Sequence, residues 1–282
     1  MKSAQGHPMR LALGLGLLLL MLIGASESRA QSNTPIESFW VTNGIVYQVV
    51  PSGGKVFIGG AFTVVGPHTG GAAAIDTASG AADPGFPKVE GSVNAIAQDG
   101  AGGWFLGGSF TRVGGAIRNN LAHVLADGRV SAWNPSANST VSALVVSGNT
   151  VYAGGAFTAI GAAPRNRLAA IDTASGSPRS WDPNADAQVL ALAVSGGTVY
   201  AGGTFTTVGG LTRNRIAALS AASGAPTSWD PSANGVVRAL AASGANVYAG
   251  GDFTGTGGKT RDRKSTRLNS SHIQKSRMPS SA

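Results

Sequence analysis

The chain has 282 residues, enough for one large domain or two ordinary ones, and 42 of them are Gly, about double the usual share. Charged residues make up 12 % and Cys is absent, which excludes a disulfide scaffold, a thiolate metal site and a Cys nucleophile. The high Gly and low charge argue against a long coiled coil, and a hydrophobic share of 43 % argues against a disordered chain.

Residues 1–30 read as a secretory signal peptide. Lys2 and Arg10 give a positive start, and Leu11 to Ile23 is an apolar run of 13 residues, short for a bilayer span. Ser28-Arg29-Ala30 puts small residues where a signal peptidase reads, so cleavage is expected before Gln31. The alternative is an uncleaved N-terminal anchor. No Cys is present to carry a lipid anchor. The expected location is secreted or cell-surface, with no transmembrane span in the mature chain.

An internal repeat dominates residues 31–261. Gly-Gly-x-Phe-Thr occurs with Phe at 62, 110, 157, 205 and 253, a spacing of 47 or 48 residues. Arg-Asn follows at Arg118, Arg165 and Arg213, and Trp-[Asp/Asn]-Pro at Trp133, Trp181 and Trp229. The fourth copy predicts a strand over Val189 to Val194, a hairpin turn at Ser195 to Gly197, and a second strand over Thr198 to Ala201, ended by Gly202-Gly203. A third strand is predicted over Arg215 to Leu219, a turn at Ala222 to Gly224, and a short fourth strand over Pro226 to Trp229. No stretch has the caps and period of a helix.

Four short strands every 48 residues predict an all-β fold, a β-propeller of four-stranded blades. The repeats lie near 46–92, 93–140, 141–188 and 189–236, with a half-blade at 237–261, so the ring is expected to be incomplete. Gly-Gly is expected to supply positive φ or close backbone approach. Phe and Trp supply buried area. The Asn after Arg suits a left-handed turn, and Asp76 and Asp172 can accept from amides two residues on.

From Asp262 the pattern stops. Where the repeat calls for Asn, Asp262 appears, and 262–282 holds five basic residues and no Gly. This segment resembles the translation of a sequencing adapter read through in frame, and it is expected to be a non-native tail on a truncated blade. The alternative is a genuine basic tail for anionic surfaces. The chain as a whole carries +8. Lys2, Arg10, Arg29 and Glu27 account for +2 of this, and Asp262, Arg263, Lys264, Arg267, Lys275 and Arg277 for +4. Residues 31–261 keep 13 basic and 11 acidic side chains, or +2, and nucleic-acid binding is not expected.

The Gly-Gly-x-Phe-Thr units, with Asp83-Pro-Gly-Phe86 and Val93-Asn-Ala-Ile96, resemble the delta-60 repeat of bacterial secreted and surface proteins. The resemblance covers about residues 40–261. It implies a propeller, and little about activity. The Gly-Gly followed later by Trp is also similar to kelch blades. Ala170-Ile-Asp172, Gly176 and Trp181 look like a quinoprotein docking motif, with the Trp one residue late. Fold analogy does not transfer function.

Few residues of the repeat carry chemistry. Residues 31–261 hold two His, His68 and His123, and His123 replaces the Ala74, Ala170 and Ala218 of other copies. It is either a residue of individual function or a tolerated half-exposed substitution. Asp182-Pro-Asn-Ala-Asp186 begins like a calcium loop, but Ala193 stands at loop position twelve, and Ala241 at that position of the counterpart after Asp230. Gly258-Lys259-Thr260 ends like a phosphate loop, but Phe253 stands where its first Gly belongs. No Gly-x-Ser-x-Gly elbow occurs. Catalytic, cofactor-binding and metal-ligating residues are therefore expected to be none, and the ligand-binding residues unknown.

Two positions vary in phase. One is the second residue of the first strand: Tyr47, Asn94, Ser142, Leu190 and Arg238. The other lies between Gly-Gly and Phe: Ala61, Ser109, Ala156, Thr204 and Asp252. Such positions can read a ligand or drift on a solvated loop. The expectation is an exported, non-enzymatic binding or structural module for an extracellular carbohydrate or protein. The alternative is a fragment of an extracellular propeller enzyme (lyase, glycosidase or quinone-dependent oxidoreductase) with its catalytic residues elsewhere.

Overall fold

Hydrogen bonding along short β-prone runs organises the repeat into successive antiparallel sheets. The computed structural model describes residues 42–65, 70–257, 259–260 and 274–277, all within one compact unit over Phe39–Ala282. The expected signal peptide, His68, and most of the expected tail lie outside the described residues. No helix occurs among the described residues, and none is long and apolar enough to cross a membrane.

The first unit pairs Ile45–Ser52, Lys55–Ala61 and Ala72–Asp76 in that order. The second has Val89–Gln98, Trp104–Val113 and Leu121–Val124, with Ala116–Ile117 folded back on the long middle strand. The third has Val141–Ser147, Thr150–Gly155 and Leu168–Asp172, and the fourth Val189–Ser195, Thr198–Gly203 and Ile216–Ser220. Val237–Ser243 and Asn246–Gly251 form the fifth hairpin. The turn of the fourth unit is a two-residue Gly196-Gly197 pair with φ of 54° and 75°, as a tight hairpin requires.

Three expectations need correction. The fourth strand is reduced to a single bridge in each unit, at Ala82, Val130, Pro178 and Pro226. Proline has no N–H to extend the ladder in two of them. The second strand runs through Gly202-Gly203 instead of ending before it. The left-handed backbone falls on the residue after Arg-Asn, at Asn120, Arg167 and Arg215 with φ of 63–64°, and not on the Asn. Asn119 and Asn214 instead donate to the hydroxyls of Ser136 and Ser232.

Gln274–Arg277, from the segment expected to lie outside the propeller, pairs antiparallel with Asn246–Gly251. It takes the edge that third strands take elsewhere: Asn246 faces Arg277 as Thr198 faces Ser220. An open strand edge offers unpaired backbone groups to any extended segment.

The Gly pair works by close approach, without positive φ. A Cβ on the first Gly would crowd the next unit: Gly107 against Val141 at 2.7 Å, Gly154 against Val189 at 2.6 Å, and Gly202 against Val237 at 2.6 Å. A Cβ on the second Gly would strike backbone in its own first strand, at Ile45 and Ser92, or just before it, at Thr140, Gln188 and Val236. The Val knobs are fully buried at 0 % exposure, each worth about 1.5–3 kcal/mol of hydrophobic stabilisation. The core therefore runs between units, with Phe105, Trp133, Val141, Leu144 and Phe157 in one cluster.

Candidate functional site

Every first strand carries a β-bulge, and the bulge falls on the position that varies in phase. The register skips one residue between Val46 and Gln48, Val93 and Ala95, Val141 and Ala143, Val189 and Ala191, and Val237 and Ala239. The skipped residues are Tyr47, Asn94, Ser142, Leu190 and Arg238. A bulge leaves its extra residue out of the ladder and re-aims its side chain. First strands of neighbouring units touch, so the five bulges fall on consecutive, adjoining strands.

The second varying position is its neighbour. The amides of Ala156, Thr204 and Asp252 donate to the carbonyls of Thr140, Gln188 and Val236, each two residues before a bulge. In the fifth unit the two positions meet directly: Arg238 donates to Asp252 Oδ2 through Nε at 2.9 Å and Nη2 at 2.6 Å. Asp252 holds the Arg238 guanidinium above its usual value. Other bulge residues bond across the unit boundary: Asn94 Nδ2 donates to the Val141 carbonyl at 3.3 Å, and Ser142 Oγ accepts from Gln188 Nε2 at 3.1 Å. Tyr47 is 51 % exposed. The bulges thus present a phenol, an amide, a hydroxyl, an aliphatic chain and a cation on one scaffold.

His123 is a brace and not a half-exposed substitution. Its side chain is 12 % exposed, and its ring stacks on Phe105 at 4.3 Å. Nε2 lies 2.9 Å from Asp99 Oδ2 and Nδ1 lies 3.1 Å from Ser131 Oγ. Burial works against ionisation of Asp99, but the bonds from His123 and the amides of Ala101 and Gly103 outweigh it and lower its pKa. Ser131 Oγ also accepts the Trp133 amide at 3.1 Å. These contacts tie the 99–103 turn, the third strand and the return segment together.

The calcium-loop reading dissolves in the geometry. Asp186 accepts the Thr206 amide at 2.8 Å and its hydroxyl at 2.6 Å, while Asp182 lies 3.8 Å from Arg165 Nη1. Burial works against Asp186 ionising, yet the Thr206 hydroxyl and the amides of Thr207 and Thr206 hold its pKa down to about 2. Asn43, Asn138 and Asn234 do the same for the amides of Thr63, Thr158 and Thr254. The Thr of the repeat motif is thereby a structural residue, a link the sequence reading missed. Its signal was an Asn or Asp recurring 20 residues before each of these Thr.

The Arg of Arg-Asn is structural as well. Arg118, Arg165 and Arg213 donate through Nη2 to the carbonyls of Ser131, Arg179 and Thr227, clamping the return segment. Asp76 and Asp172 accept the amides of Ala78 and Ala174, as their Asp-Thr-Ala-Ser-Gly context suggested. Among the described residues, no group of three His, Asp or Glu is placed to hold a metal.

No family model matches the chain, and no curated protein matches it in sequence. Several solved structures are similar. The computationally designed Ika4 protein is 14 % identical with a TM-score of 0.44, covering 66 % of this chain and 91 % of its own. The Pan2 WD40 domain of Neurospora crassa is 9 % identical with a TM-score of 0.46, covering 72 % of this chain and 58 % of its own. An extracellular domain assigned to a one-component system of B. thetaiotaomicron is 14 % identical with a TM-score of 0.48, covering 73 % of this chain and 25 % of its own.

Proposed function

We propose that the chain is an exported, non-enzymatic binding module on a β-propeller scaffold, recognising an extracellular carbohydrate or protein through its first-strand bulges. One observation carries the reading. The position that changes chemistry from unit to unit, from Tyr47 to Arg238, is the one each first strand leaves out of its ladder. The surrounding motif residues are committed to structure: Gly to packing, Thr to the Asn/Asp braces, and Arg to clamping the return segment. Export rests on the charge and apolar pattern of residues 1–30. The propeller rests on sheets that repeat every 47 or 48 residues and bury their faces on one another.

The test is binding of the purified chain to an oligosaccharide array and to extracellular proteins, with Asn94→Ala and Arg238→Ala beside the wild type. The reading expects a ligand whose affinity falls at least tenfold in one variant while the melting curve is kept. Equal binding by both variants removes the bulges as the site. Turnover of a saccharide abolished by one substitution would make the protein an enzyme.

A further inference from the structure

We infer that the chain associates head to tail with a second copy of itself, the first unit of one copy packing on the fifth unit of the other. The inference stands on unit packing alone and is independent of any ligand.

The chain contains the same junction four times. At each, a Val and a Leu or Ile of one unit's first strand seat over the first Gly of the preceding unit's Gly pair. Val93 and Ile96 cover Gly59, Val141 and Leu144 cover Gly107, Val189 and Leu192 cover Gly154, and Val237 and Leu240 cover Gly202. The distances from the Gly Cβ direction to the Val Cγ1 are 2.6–2.8 Å at all four. The Val knobs are 0 % exposed at every junction.

Both halves of a fifth junction are present, and among the described residues neither meets the counterpart that the other four junctions have. The socket is Gly250. A Cβ there would meet only Ala239 Cβ at 3.8 Å among the described residues. Gly250 is half-buried where its four counterparts are buried, and Ala239 is exposed where Ala95, Ala143 and Ala191 are buried. The knobs are Val46 and Val49, which take the register positions of Val141 and Leu144. Val49 is 51 % exposed, whereas Leu144 and Ile96 are 8 % and 3 %. Knob and socket lie at opposite ends of the run of units, so the contact uses two different surfaces. Such a heterologous contact makes a ring if the rotation closes and a filament if it does not. A second copy is the occupant that fits, because the surface that suits Gly250 is the one this chain has already fitted to Gly59, Gly107, Gly154 and Gly202.

The test is sedimentation velocity of the purified full chain over a hundredfold concentration range, with two variants. Val49→Lys charges the knob on an exposed residue. Gly250→Leu fills the socket, where a side chain has room. Circular dichroism melts check that both fold. The wild type is expected to shift to larger species as concentration rises. Each variant alone is expected to stay at the mass of one chain. An equimolar mixture is expected to form a species of two chains and nothing larger, because one intact knob and one intact socket remain. A wild type of one chain at all concentrations overturns the inference. So does a mixture that fails to pair, which would mark a symmetric contact, and so does either folded variant that associates as the wild type does.

Discussion

The indole N–H of Trp181 donates to the carbonyl of Ser220, 2.8 Å away and 39 residues further along the chain. Trp133 and Asp172 repeat the relationship one unit earlier, at 2.9 Å. Each Trp also covers the turn Gly of the following unit, with Cδ1 at 3.3 Å from the Cβ direction of Gly176 and 3.4 Å from that of Gly224. The Trp is therefore a fastener between units. It joins the return segment of one to the turn after the third strand of the next.

Trp181→Phe keeps an aromatic ring beside Tyr152 and removes the fastener. The Ser220 carbonyl still accepts the Gly224 amide at 2.8 Å, so it is not orphaned. The expected cost is about 1–2 kcal/mol, for one hydrogen bond and part of the buried area. Urea unfolding followed by fluorescence measures it. A midpoint unchanged from wild type would show that the bond contributes nothing.

The Gly pairs predict an asymmetry along the chain. Gly154→Ala places a methyl 2.6 Å from Val189 Cγ1, and the junction must open or shift, at an expected cost of about 1–3 kcal/mol. Gly250→Ala has no such neighbour among the described residues and should change stability by less than about 0.5 kcal/mol. Paired thermal melts decide it. Equal losses in the two variants would mean that the glycines matter for backbone freedom and not for packing.

Much of this was legible in the sequence, and the division has a physical basis. Interactions within one hairpin or turn could be read: the Gly196-Gly197 turn, the Asp76 and Asp172 turns, and the first hairpin of the fourth unit. Contacts between residues far apart in sequence could not. The Gly pair gave no sign that its first member serves the next unit and its second its own first strand. Asp186 was seen only as part of a broken calcium-loop pattern, because its partner Thr206 sits 20 residues away across the fold. His123 stood out as a departure from Ala, but its partner Asp99 belongs to the longer 99–103 turn, which the other units lack. The bulges were visible only as a varying position. Their register skip emerges from pairing.

Asp186 gives a pH prediction with a defined sign. Its folded pKa of about 2 lies below the ordinary 3.8. Its contribution to stability is therefore present above about pH 4 and is lost as pH falls through 2. Asp186→Asn installs the residue that Asn43, Asn138 and Asn234 already use for the same brace. The variant should match wild type at pH 7 and lose less stability between pH 4 and pH 2. Melting temperatures across that range test it. Parallel curves for the two proteins would mean that Asp186 is not the titrating group.

Arg167 offers a gain. It holds φ of 63° in the left-handed region, which costs a branched or long side chain about 1 kcal/mol and Asn less. In the second unit the same position is Asn120, at φ of 64°. Its Nδ2 donates to the Ala137 carbonyl at 2.8 Å, and its Oδ1 accepts the Phe110 amide at 3.2 Å. Arg167 reaches the equivalent carbonyl, that of Ala185, at 3.2 Å through Nη1. Arg167→Asn should keep this carbonyl contact, add an acceptor for the Phe157 amide, and relieve the backbone. The expected gain is about 0.5–1 kcal/mol, read as a higher melting temperature. A fall in melting temperature would show that the Arg167 side chain contributes more through packing than its backbone conformation costs.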